Sequence, residues 1–162
     1  MKKTALITGA SSGIGTEFAH QLAQRDYNLV LVARRKELLD EIAKDIQNTL
    51  SISIYCFSAD LSTPEGLQDL YQQVEQQDLE IDLLVNNAGF GTMGAFDEQD
   101  RVLEQQEIAL NVAAVVDLSH QFIPRMLKRK SGNIINVASV AAYQPVPYMA
   151  VYAATKAFVL SI

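Results

Sequence analysis

Thr4-Ala5-Leu6-Ile7-Thr8-Gly9-Ala10-Ser11-Ser12-Gly13-Ile14-Gly15 runs from an apolar stretch straight into a glycine-rich turn. Thr4–Thr8 reads as a buried strand and Gly13–Asp26 as the helix behind it, with Ile14, Phe18 and Leu22 on one face. Glycines at 9, 13 and 15 permit a tight strand-to-helix turn and close backbone approach to a diphosphate. Free amides at the helix start, together with its dipole, favour negative charge there. A turn that merely packs helix on strand would use the same glycines, so the motif alone leaves both readings open.

Outward from this turn, strands and helices alternate. Asn28–Ala33 is a second apolar strand, and Lys36–Thr49 is helical, with Leu38, Leu39, Ile42 and Ile46 at helix spacing. Ser51–Phe57 reads as a third strand, and Pro64 suits the first turn of a helix running to about Gln77. Ile81–Asn86 is a fourth strand. Asp97–Lys130 predicts two helices meeting near Asn111, Asn133–Ala138 a fifth strand, and a further helix begins near Met149. Strands apolar throughout, joined by helices of ten or more residues, predict a parallel sheet covered on both faces. The fold expected is a doubly wound α/β sheet in the order 3-2-1-4-5.

Composition excludes several classes. The 162 residues are 49% hydrophobic and 20% charged, an ordinary globular balance, and a net charge of −6 disfavours a general nucleic-acid role. Cys56 lies in an apolar stretch and reads as a buried structural thiol; a single cysteine makes no disulfide framework, which fits a cytoplasmic protein. No run of about 18 apolar residues occurs, so no membrane span is expected. His20 and His120 have no partner at ligand spacing, so no metal is expected. Arg125, Lys128, Arg129 and Lys130 read as the dipole-complementing end of a helix stopped by Ser131-Gly132.

Further motifs fall at strand ends, where ligands bind in such sheets. After the second strand stand Ala33, Arg34 and Arg35, with no acid before Glu37. An acid there would repel a 2′-phosphate, whereas a guanidinium clamps one. NADP(H) is therefore favoured and NAD(H) remains possible, although the pair also suits a plain surface loop. Asp60-Leu61 follows the third strand, where the carboxylate either accepts from an adenine amino group or caps the helix beginning Ser62-Thr63-Pro64. Asn86-Asn87-Ala88-Gly89 ends the fourth strand, its small residues leaving room for a ribose while the Asn side chains tie strand ends together. Tyr152-Ala153-Ala154-Thr155-Lys156 closes the set, with Ser139 thirteen residues upstream.

The order Thr-Gly-x-x-x-Gly-x-Gly, Asn-Asn-Ala-Gly, Asn, Ser and Tyr-x-x-x-Lys resembles the short-chain dehydrogenase/reductase family along the whole chain. The resemblance implies a Rossmann-like fold and a cofactor set of Gly9, Ser11, Ser12, Gly13, Ile14, Gly15, Arg34, Asp60, Leu61, Asn87, Ala88, Gly89, Tyr152 and Lys156. It also implies hydride transfer between NADP(H) and a carbonyl or alcohol, with Tyr152 as general acid or base. A free tyrosine has a pKa of about 10, so only about 0.1% is ionised at pH 7. Lys156, one helical turn on and about 6 Å along the axis, would lower it and hydrogen-bond the nicotinamide ribose. Ser139 would hold the substrate oxygen, and Asn111 a water in a proton relay to Lys156. Phe90-Gly91-Thr92-Met93-Gly94 would be a flexible loop at the site's mouth, and Tyr143, Pro145, Val146, Pro147 and Tyr148 either line an apolar pocket or pack among themselves.

Members of that family continue past the Tyr-Lys helix into two further strands and a substrate-covering segment. The sequence stops at Ile162. The expectation is a single dinucleotide-binding domain over residues 1–162, truncated at its C-terminus, from a protein whose full-length form is a homo-oligomer. The alternative function is a non-catalytic nucleotide-binding remnant or regulatory subunit.

Overall fold

A computed structural model describes residues 2–162. Five parallel strands form one sheet: β1 (Thr4–Thr8), β2 (Asn28–Ala33), β3 (Ile54–Ser58), β4 (Leu83–Asn86) and β5 (Asn133–Asn136). Their spatial order is β3-β2-β1-β4-β5, as the alternating pattern predicts. Helices α1 (Gly13–Gln24), α2 (Lys36–Gln47), α3 (Pro64–Gln76), α4 (Arg101–Ile108), α5 (Ala114–Arg129) and α6 (Ala150–Ser161) connect and cover them.

The pleat divides the core in two. Ala5, Ile7, Leu29, Leu31 and Val85 point to one face and pack with Ala19, Leu22, Leu39 and Ile46 of α1 and α2. Leu6, Val30, Val32 and Leu84 point to the other, against Leu67, Leu70 and Val74 of α3 and Leu118, Phe122 and Met126 of α5. Each fully buried Leu or Val stabilises by about 1.5–3 kcal/mol relative to exposure. This explains why the central strands are apolar on both faces rather than alternating.

Several element boundaries depart from the sequence reading: β3 spans Ile54–Ser58 rather than Ser51–Phe57, and β5 ends at Asn136 rather than Ala138. β4 begins at Leu83, not Ile81, because the Asp82 carboxylate instead accepts from the Thr4 N–H at 2.9 Å and the ladder starts one residue later. The stretch read as two helices is continuous: α4 runs through a π-helical turn, Ala109–Ala113, into α5, with Asn111 buried in that turn. Lys130, rather than a glycine, takes the left-handed conformation (φ 54°) that ends α5, its N–H bonding Leu127 O while Ser131 N–H bonds Met126 O. Among the described residues, no helix is long and apolar enough to cross a membrane.

Candidate active site

All the strands run in one direction, so the turns after β1, β2, β3, β4 and β5 meet along one edge. There they enclose a cleft of about 530 Å³ lined by Gly9, Ser11, Ser12, Ile14, Arg34, Arg35, Asp60, Leu61, Asn87, Ala88, Gly89, Tyr152 and Lys156, among others. The turn after β1 is shaped by Gly9 (φ 66°), whose added β-carbon would sit 2.8 Å from Ala88 Cα. Gly15 lies beneath the turn; a β-carbon there would overlap the carbonyl oxygen of Gly9. Ile14 was expected to pack with Phe18 and Leu22. It is 61% exposed and borders the cleft instead. The start of α1 is uncapped: Ser12 makes no side-chain capping bond, and no acid stands in the first turn.

Thr8 organises the neighbouring turn. Its hydroxyl donates to Val85 O at 3.2 Å and accepts from Asn87 N–H (3.0 Å) and Ala88 N–H (2.9 Å). Asn87 returns its side-chain amide to Thr8 O at 2.9 Å, and the Asn86 amide reaches Asn136 Oδ1 at 2.9 Å, so both asparagines tie strand ends. Arg34 and Arg35 are exposed at the cleft, and neither is ion-paired among the described residues. The Asp60 carboxylate accepts from Ser62 Oγ at 2.7 Å and Ser62 N–H at 3.0 Å. The Ser62 hydroxyl holds that carboxyl below the usual range. The helix cap falls to Thr63.

The opposite end of the cleft carries the Tyr-Lys pair. Both side chains project from α6 one turn apart, with Lys156 Nζ 5.9 Å from the centroid of the Tyr152 ring. Lys156 is only 6% exposed and donates to Val137 O at 2.9 Å; burial lowers its pKa. Asn111 is 1% exposed, donates to Phe90 O (2.8 Å) and Thr155 Oγ1 (3.0 Å), and accepts from Phe90 N–H (3.2 Å). A β-carbon on Gly89 would lie 2.9 Å from Asn111 Oδ1 and 3.5 Å from Lys156 Nζ, so these two groups converge there.

Four of the proposed residues stand outside the lining. Gly13 and Gly15 lie in the turn, and Asn111 lies behind Phe90. Ser139 follows β5, its hydroxyl accepting from Ala141 N–H at 3.2 Å. Arg35 of the arginine pair and Gly91 of the mouth loop line the cleft, as do Leu110, Val137 and Met149, to which the sequence assigned no role in the site. Nor did it assign one to Thr155, whose hydroxyl joins Asn111 to Tyr152 O. Cys56 is half-buried on β3, and burial pushes its thiol up to about 11, the behaviour of an inert rather than a reactive cysteine.

A parallel sheet with this order, a glycine turn on a helix start and a Tyr-Lys pair at the far end of one cleft define a nucleotide-binding oxidoreductase class. Residues 3–162 match the model of the family described as short chain dehydrogenase, and the chain belongs to that family. It is 36% identical to the very-long-chain 3-oxoacyl-CoA reductase-B of Danio rerio over 97% of this chain and 51% of that protein. It superposes on the bulky-bulky ketone specific alcohol dehydrogenase of Comamonas testosteroni with a TM-score of 0.92 at 38% identity, covering 98% of this chain and 63% of the other. A short-chain dehydrogenase of Sphingobium yanoikuyae in complex with NADPH gives the same TM-score and identity over 98% of this chain and 62% of its own. The chain thus spans about half the length of that curated relative.

Proposed function

We propose that this chain carries the cofactor-binding and proton-transfer parts of an NADP(H)-dependent carbonyl reductase or alcohol dehydrogenase. One observation carries the reading: the glycine turn, the Arg34-Arg35 pair and the Tyr152-Lys156 pair border a single cleft. The residues fit a dinucleotide. Gly9 leaves no room for a side chain between the turn and Ala88, and the uncapped start of α1 favours a diphosphate. Arg34 and Arg35, unpaired among the described residues, suit a 2′-phosphate, and a relative of known structure holds NADPH. Asp60 Oδ1 is taken by Ser62, leaving the rest of its carboxylate for an adenine amino group.

The chemistry a nicotinamide supplies when bound is hydride exchange with the carbonyl or carbinol carbon. In reduction, Tyr152 gives its phenolic proton to the carbonyl oxygen as the C=O π bond is lost; in oxidation it takes that proton back. Lys156, fixed by Val137 O, stabilises negative charge on the Tyr152 oxygen. Ser139 accepts from Ala141 and keeps its own hydroxyl proton for a substrate oxygen. Asn111 serves the relay towards Lys156 by fixing the loop beside it. Met93, Val140, Tyr143 and Tyr148 are exposed on the loops after β4 and β5, which favours a substrate with apolar bulk beside its carbonyl.

Fluorescence titration with NADPH and NADH tests the first half, and Arg34→Ser is expected to weaken NADPH about tenfold more than NADH. NADPH oxidation over a panel of bulky ketones tests the second, with Tyr152→Phe lowering turnover by about 10²–10⁴-fold at unchanged NADPH affinity. Binding without turnover would favour a non-catalytic nucleotide-binding protein. Binding of neither nucleotide would reject both readings.

A further inference from the structure

The geometry points to Glu107 as a positioning residue for Tyr152: through Thr92 it holds the backbone of Gly91 against the phenol ring. This rests on Tyr152 being the proton donor proposed above. Glu107 is fully buried on α4 and does not itself line the cleft. Its Oε2 accepts from both the N–H (2.9 Å) and the hydroxyl (2.7 Å) of Thr92. Its Oε1 receives no hydrogen bond among the described residues. An apolar side chain would fill a buried position without that orphaned oxygen, so packing alone does not account for a carboxyl here.

Four residues along the same helix, Asn111 bonds both backbone groups of Phe90. Four helical residues advance about 6 Å, and two residues of extended chain advance about 6.6 Å. Glu107 and Asn111 therefore grip loop residues 92 and 90 in register. Gly91, the residue between them, faces Tyr152: a β-carbon on it would lie 2.7 Å from Tyr152 Cδ2 and 3.0 Å from Cγ. The loop is thus a wall for the phenol, pinned at two points by one helix. Without Glu107 the span between the Asn111 grip at Phe90 and the Gly94 N–H bond to Tyr148 O (2.9 Å) loses its middle anchor, and the wall at Gly91 can shift away from the ring.

The test uses the 162-residue protein labelled with ¹³C at the tyrosine rings, the Tyr152 signals being assigned with Tyr152→Phe. Glu107→Ala is expected to speed exchange of the Thr92 amide by about tenfold or more, to shift the Tyr152 ring signals and to leave NADPH affinity within about twofold. Glu107→Gln keeps an acceptor for Thr92 and is expected to restore both signals. Thr92→Val removes only the hydroxyl bond and is expected to move the Tyr152 signals the same way by less; it decides the matter if Glu107→Ala does not fold. Faster Thr92 exchange with unmoved Tyr152 signals would overturn the proposal, as would failure of Glu107→Gln to restore them. Since the ring signals need no turnover, an inactive protein would count against the proposed function and not against this positioning role. If turnover is present, Glu107→Ala should lower kcat with little change in KM, the pattern of a misplaced proton donor.

Discussion

Two helix starts on the same edge of the sheet are built differently. At α3, Thr63 Oγ1 accepts from the Gly66 N–H at 3.1 Å, Pro64 occupies the first turn, where a missing N–H costs nothing, and Glu65 complements the dipole. At α1, Ser12 is extended but caps nothing, and no acid stands in the first turn. Both helices carry a glycine at the point of closest approach: a β-carbon on Gly66 would overlap Asp60 O, as one on Gly15 would overlap Gly9 O. Close packing is therefore common to the two, and only the satisfaction of the amides differs. The chain meets the needs of α3 itself and leaves the start of α1 without a side-chain cap.

The largest effects should come from the shared feature. Gly15→Ala and Gly66→Ala should each destabilise by about 2–3 kcal/mol in urea titration, since a backbone oxygen must move in both cases. If Gly15→Ala were tolerated, the tight turn at α1 would not be a packing requirement. Ser12→Asp should sharpen the contrast by supplying the missing cap: unfolding should require more urea while NADPH affinity falls about tenfold, through competition for the same amides. Thr63→Ala should do the opposite, costing about 1 kcal/mol of stability and leaving NADPH affinity unchanged. Equal effects of these two on nucleotide binding would break the comparison.

A smaller effect is expected at the far end of the cleft. Burial lowers the pKa of Lys156, so the folded protein releases this proton at a lower pH than the unfolded chain. Between the folded pKa and the ordinary value of about 10.4 the unfolded chain holds more protons, and stability rises with pH through that window. The charged form therefore costs stability at neutral pH. Lys156→Met should melt higher than the native protein at pH 7, with the gap narrowing as pH rises through the folded pKa, while losing any turnover.

Much of the fold was legible because its signals are local. β1, β2 and β4 announce themselves as unbroken apolar runs, α2 by Leu39 and Ile46 at helix spacing, and α3 by Thr63-Pro64. One end of the cleft lining was legible for the same reason, since Gly9, Ser11, Ser12 and Ile14 are consecutive or nearly so. At the other end the sequence named the residues but not their hydrogen-bond partners. Tyr152 and Lys156 share one helical face, but Ser139 turned its hydroxyl to Ala141, and the Asn111 side chain went to Phe90 and Thr155. Glu107 gave no signal at all, because a glutamate on an amphipathic helix reads as solvated surface until something is packed over it.

By itself, then, the amino-acid order determined the strands, the helices, their parallel arrangement and the turn after β1, all consequences of periodicity and of where a side chain cannot fit. Tertiary structure alone decided that Glu107 is buried beneath Thr92, that Ile14 faces the cleft and that Lys156 lies one bond from Val137. Those outcomes join residues 15 to 20 positions apart or more, or depend on which surface a neighbouring element covers. They exist only once the helices have docked, because the hydrogen bonds that define them have no partner in any local stretch of chain.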